Sequence, residues 1–131
     1  MSEEKRIVKS YEEEMQSLND DLVKMGSLTE SQLSDTIQAI VKIDKEAAEN
    51  IIKNDAQINE LRAKIDDQIS TVLVKRAPMA IDLRTTISSL KISHDLERIG
   101  DLAKSVAKKI EPLPIDSVSY THLTLPTILL V

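Results

Sequence analysis

The 131-residue chain has no cysteine, phenylalanine or tryptophan, and only two glycines and two tyrosines. Without cysteine there is no disulfide, zinc–thiolate site or thiol nucleophile. With aromatics at 2%, a core must come from Leu, Ile, Val, Ala and Met, which suits helix-on-helix packing better than a β-sandwich. Two glycines are too few for a fold of many tight turns. No apolar stretch reaches membrane-spanning length, so a membrane-embedded chain is not expected. Ser2-Glu3-Glu4-Lys5-Arg6 has no apolar run behind it, so no secretory signal is expected either, and a soluble cytoplasmic protein of one domain is the default. Basic residues are in deficit too. A net charge of −5 argues against nucleic acid or an anionic membrane as partner.

The apolar residues recur at helical spacing. Ile7, Tyr11, Leu18, Leu22, Met25, Leu33, Ile37 and Ile40 predict a helix over 4–43. Gly26 is its weak point, at about 1 kcal/mol relative to alanine, but the stripe resumes in phase beyond it, favouring one helix over two. Asp44 is placed to cap a second helix. Ile51, Ile58, Ile65 and Val72 then follow at seven-residue steps, with Ala47 and Leu61 at the complementary positions of a bundle seam. That helix should end near Arg76-Ala77, because the residue before Pro78 is pushed from helical dihedrals, and Pro78 suits the first position of the next.

The third helix is expected from about Pro78 to Ile110, with two apolar stripes. Leu83, Ile87 and Leu90 make one, continued in the same row by His94, Glu97 and Asp101. Ile92, Leu96, Ile99, Ala103, Val106 and Ile110 make the other. Either its buried face changes midway or it is covered on both sides. Beyond it the composition shifts: of 39 charged residues, only Asp116 falls in the last 19 positions. The stretch 118–127 resembles the peptide from a translated sequencing adapter. The expectation is therefore a domain over 1–111 and a tail over 112–131 that is disordered or non-native read-through, with native sequence stopping near Ile115 or Asp116.

Chemistry concentrates in Asp95-Leu96-Glu97-Arg98-Ile99-Gly100-Asp101. Glu97 and Asp101 lie one helical turn apart on one face, and Asp55 and Asn59 repeat that spacing on the preceding helix. If the pairs meet, several hard oxygen ligands on adjacent helices can share a metal ion or dock a basic partner. The bland reading is a solvated face with ordinary pairs Lys91–Asp95, Asp95–Arg98 and Arg98–Asp101. His94 is a ligand, a ligand's support or a polar boundary residue. Gly100, unfavourable within a helix, implies close approach of a neighbouring backbone or an ion. Asp82 complements the dipole at the start of the third helix, and Arg84 is placed to bridge to Asp66 or Asp67.

In this order, Lys24-Met25-Gly26, Asn54-Asp55-Ala56-Gln57-Ile58-Asn59-Glu60-Leu61, Ala77-Pro78-Met79-Ala80-Ile81-Asp82-Leu83-Arg84 and His94-Asp95-Leu96-Glu97-Arg98-Ile99-Gly100-Asp101-Leu102-Ala103 resemble the PhoU family of bacterial phosphate-signalling accessory proteins. The resemblance covers about residues 8–111 and corresponds to one of two tandem repeats. It implies an all-α fold, an antiparallel three-helix bundle with an irregular C-terminal tail. It further implies a regulatory adaptor with no catalytic residues, a negative regulator of phosphate uptake and starvation signalling. Its partners would be the phosphate transporter ATPase and a sensor histidine kinase, and the full-length form would be a homodimer. The family's Glu/Asp-x-x-x-Asp motifs bind iron or zinc clusters, which carries over to Asp55, Glu97 and Asp101 as metal ligands, with Asn59 departing from the acidic pattern.

Two other readings compete. Leu61-Arg62-Ala63-Lys64-Ile65-Asp66 followed by Arg76 resembles the opening helix of helical chorismate mutases, except that Ile69 stands where a second Asp is expected. A plain helical scaffold is the third.

Overall fold

Long runs of good helix formers give three helices among the described residues. The computed structural model describes residues 2–76 and 80–114. α1 spans Ser2–Lys42, α2 Lys45–Arg76 and α3 Ala80–Ile110. α1 passes through Gly26 without a break, as the phase of its stripe predicts. Pro78 and the tail over 115–131 lie outside the described residues.

The α1–α2 turn is built from both helix ends. The Asp44 N–H donates to the Ala39 carbonyl at 3.0 Å and that of Ile43 to Ile40, the paired bonds of a Schellman ending. Ile43 occupies its left-handed position at φ 49°, where glycine is usual. Asp44 then caps α2, its Oδ1 accepting from the Ala47 N–H at 3.0 Å. So short a turn forces the helices antiparallel.

Side-chain partners confirm the arrangement. Gln68 donates to Ser17 and Lys64 pairs with Asp21, so numbering on α1 and α2 runs in opposite directions. Arg62 meets Glu97 and Lys104 meets Asp55, so α2 and α3 are antiparallel as well. α1 and α3 are therefore parallel.

The core divides in two. Leu18, Met25, Ile58, Leu61, Ile65 and Ile69 form the larger cluster, with Met15, Leu22, Leu28 and Leu96 against it. Ala39, Ala48, Ile51, Ala107 and Ile110 form the smaller, near the α1–α2 turn. The seam of Ile51, Ile58, Ile65 and Val72 is buried throughout. Each such side chain contributes about 1.5–3 kcal/mol of burial. Between the clusters lies a polar level containing Gln32, Asp55 and Gly100.

The buried faces of α1 and α3 correct the expected stripes. Beyond Gly26, α1 buries Thr29, Gln32, Thr36 and Ala39, while Leu33, Ile37 and Ile40 are exposed. On α3 the buried row is Thr86, Ser89, Ser93, Gly100, Ala103, Ala107 and Ile110. Leu83, Ile87 and Leu90 on one flank, and Ile92, Ile99 and Val106 on the other, are exposed. The reason is polar: the buried hydroxyls bond to their own helix, Thr29 to the Met25 carbonyl, Thr36 to Gln32, Ser89 to Thr85 and Ser93 to Leu90. A buried hydroxyl satisfied in this way costs little. Leu33, Ile37 and Ile40, like Ile92, Ile99 and Val106, sit on the flank turned from α2, bordering the α1–α3 seam.

Candidate functional site

Asp55 lies one turn after Ile51 on the buried face of α2 and is 1% exposed. A carboxylate there must be paired or hydrogen-bonded, since a bare buried charge costs several kcal/mol, of order. Asp55 has three partners, one from each helix. Its Oδ1 accepts from Gln32 Nε2 of α1 at 3.0 Å. Its Oδ2 accepts from Asn59 Nδ2 of α2 at 3.2 Å and lies 3.6 Å from Lys104 Nζ of α3. The same Gln32 nitrogen donates to the Gly100 carbonyl at 3.0 Å. Carboxylate and carbonyl only accept, so the NH₂ end of each amide must face them.

Gly100 makes this approach possible. A Cβ there would stand 3.3 Å from Ile58 Cδ1 and 3.5 Å from Asp55 Oδ1. The close approach expected from a glycine in mid-helix is real, but α2 makes it with side chains rather than backbone.

Above this level the α2–α3 groove opens into a hollow of about 500 Å³ lined by Asn59, Arg62, Ala63, Asp66, Glu97 and Asp101. Arg62 donates to Glu97, and its Nε lies 3.6 Å from Asp66 Oδ2. Asp101 remains facing like charges. Its carboxyl is pushed above the ordinary aspartate value, first by burial and then by Asp55 and Glu97, with Lys104 and Arg62 opposing.

The expected site residues thus gather around one groove, at two depths. Asn59, Glu97 and Asp101 line the hollow, while Asp55 lies in the polar level beneath. Asn59 presents its nitrogen, not its oxygen, to Asp55. Among the described residues, no group of three or more His, Cys, Asp or Glu side chains is arranged to hold a metal ion. The donor set as placed does not fit iron or zinc, because protein donors and cations already take up both Asp55 oxygens and Glu97 Oε2.

His94 is exposed, away from the polar level. Lys91, Asp95 and Arg98 are exposed too, and among the described residues the ion pairs of α3, Glu97 with Arg62 and Lys104 with Asp55, cross to α2. Asp66 pairs with Arg62 of its own helix rather than with Arg84. Side chains of Arg76 and Asp82 lie outside the described residues.

Gln32 and Lys104 escaped the sequence reading, and Arg62 entered it only through the chorismate-mutase resemblance. A signal existed for two of them. Arg62 falls seven residues after Asp55 and Lys104 seven after Glu97, so each shares a face with its neighbour's carboxylate. Gln32 carried no such signal, because Leu33 beside it drew the predicted stripe.

With this geometry established, comparison with known proteins gives the following. The PhoU domain matches residues 22–110. The phosphate-specific transport system accessory protein PhoU homolog of Caulobacter vibrioides (strain NA1000 / CB15N) is 39% identical over 102 residues, covering 78% of this chain and 44% of the relative. The homolog from Clostridium acetobutylicum is 37% identical over 106 residues, covering 80% of this chain and 48% of the relative. The crystal structure of PhoU from Pseudomonas aeruginosa superposes with a TM-score of 0.76 at 35% identity, over 86% of this chain and 56% of that one. This chain therefore spans about half the length of the curated relatives it matches. The matches displace the chorismate-mutase reading, whose Arg62 is engaged by Glu97 and Asp66 of its own chain.

Proposed function

The chain belongs to the PhoU family, and from that membership we propose that it is a regulatory adaptor of bacterial phosphate uptake. In this reading it works in the cytoplasm, without catalysis, by contacting the phosphate transporter's ATPase and a sensor histidine kinase. Contact when phosphate is plentiful restrains both transport and starvation signalling. The supporting observation is the PhoU match over 22–110, with relatives named as accessory proteins of a phosphate-specific transport system. Among the described residues no helix is long and apolar enough to cross a membrane.

Expression in a bacterium whose own PhoU homolog is deleted tests this. The expected outcome is renewed repression of a starvation-responsive reporter in phosphate-rich medium. Reporter output that stays high while the chain is detectable by immunoblot overturns the reading.

A further inference from the structure

We infer that Arg62 and Lys104 stand in for a metal ion, neutralising Glu97 and Asp55 as resident protein cations and keeping zinc and iron out of the wild-type site. The inference is independent of the adaptor reading, which needs no metal.

The carboxylates present the electrostatic problem a cation normally solves. Asp55 is buried, and Glu97 and Asp101 project from the next helix toward the same groove. Three like charges at this spacing repel, and the repulsion is strongest where water is excluded. Lys104 reaches Asp55 from α3 and Arg62 reaches Glu97 from α2, so each cation crosses the groove to the opposite helix. Their side chains are 32% and 26% exposed, shielded enough that the pairs are not ordinary surface contacts.

Both Asp55 oxygens are also committed. Asp55 Oδ1 is taken by Gln32, and Oδ2 is shared between Asn59 and Lys104. A divalent ion bridging Asp55 and Glu97 through these oxygens would have to displace both cations, and to use the Asn59 oxygen it would have to reverse that amide. It would then sit beside two displaced positive charges. Two monovalent cations on two helices match a divalent ion in charge, and like a shared metal they tie α2 to α3. Asp101 keeps the uncompensated negative charge, consistent with its raised proton affinity.

The test uses the full chain and Zn²⁺ as probe. Wild type, Arg62→Lys, Lys104→Met, Arg62→Met/Lys104→Met and the last combined with Glu97→Ala/Asp101→Ala are compared by elemental analysis and calorimetric titration. Far-UV circular dichroism checks each fold; methionine keeps the aliphatic stems packed. Wild type and Arg62→Lys are expected to purify without stoichiometric zinc or iron. Arg62→Met/Lys104→Met should bind Zn²⁺ about tenfold more tightly or better, as removal of two nearby positive charges implies, with Lys104→Met between. Adding Glu97→Ala/Asp101→Ala should abolish the gain. Wild-type protein carrying one equivalent of zinc or iron overturns the inference. So does a double methionine variant that binds Zn²⁺ no better than wild type.

Discussion

Gln32 Nε2 lies 3.0 Å from Asp55 Oδ1, joining the C-terminal half of α1 to the N-terminal half of α2 between two apolar clusters. The same nitrogen serves the Gly100 carbonyl, so one amide group holds three helices in register. Sliding any helix by one residue would leave a buried carboxylate or carbonyl without its donor.

Replacing Gln32 by Leu is therefore expected to destabilise the bundle by about 1–3 kcal/mol, the cost of leaving buried acceptors short of a donor. Combining it with Asp55→Leu should recover part of that loss, and a double-mutant cycle in urea measures the coupling at about 0.5–3 kcal/mol. Strictly additive effects would show that the bond contributes nothing.

The two glycines should answer substitution in opposite ways. No atom lies within 4 Å of a Cβ placed at Gly26, so Gly26→Ala should stabilise α1 by up to about 1 kcal/mol through helix propensity. Gly100 packs against Ile58 and Asp55, and a leucine there should cost about 1–3 kcal/mol by overpacking. Thermal melts of both variants decide, and a Gly100→Leu protein as stable as wild type would refute the packing argument.

Asp101 supplies a pH signature. Its folded-state affinity for a proton is raised, so the native chain binds more protons than the unfolded chain just above the ordinary aspartate value, and stability falls as pH rises through that window. The penalty then persists at neutral pH. Asp101→Asn should raise the melting temperature at pH 7, and the difference should vanish below an aspartate pKa of about 4, where both proteins are neutral at this position. An equal difference at pH 3 and pH 7 would trace the effect to something other than charge.

Helix existence, the α1–α2 boundary and the α2 seam were legible because they depend on local causes: a 3.6-residue period and the Asp44 cap. The same was true of the carboxylates that share a helix face. The buried faces of α1 and α3 were legible only in part: Leu18, Met25, Ala103 and Ile110 are buried as their stripes predict, but α1 beyond Gly26 and the first half of α3 are not packed as expected. Hydrophobicity counts Leu33, Ile92 and Ile99 as core and Thr29, Thr36 and Ser93 as surface, yet the structure reverses both groups. What that scale omits is the hydroxyl's bond to its own helix backbone, which lets Thr29, Thr36 and Ser93 face the interior at little cost.

By itself, the sequence determined an all-helical chain, its three rods and which carboxylates stand one turn apart. Only the tertiary structure decided what those carboxylates face, because Gln32, Arg62 and Lys104 approach them from elements distant in the chain. Local periodicity contains no term for a charge arriving from another helix, and at this site such charges determine the chemistry.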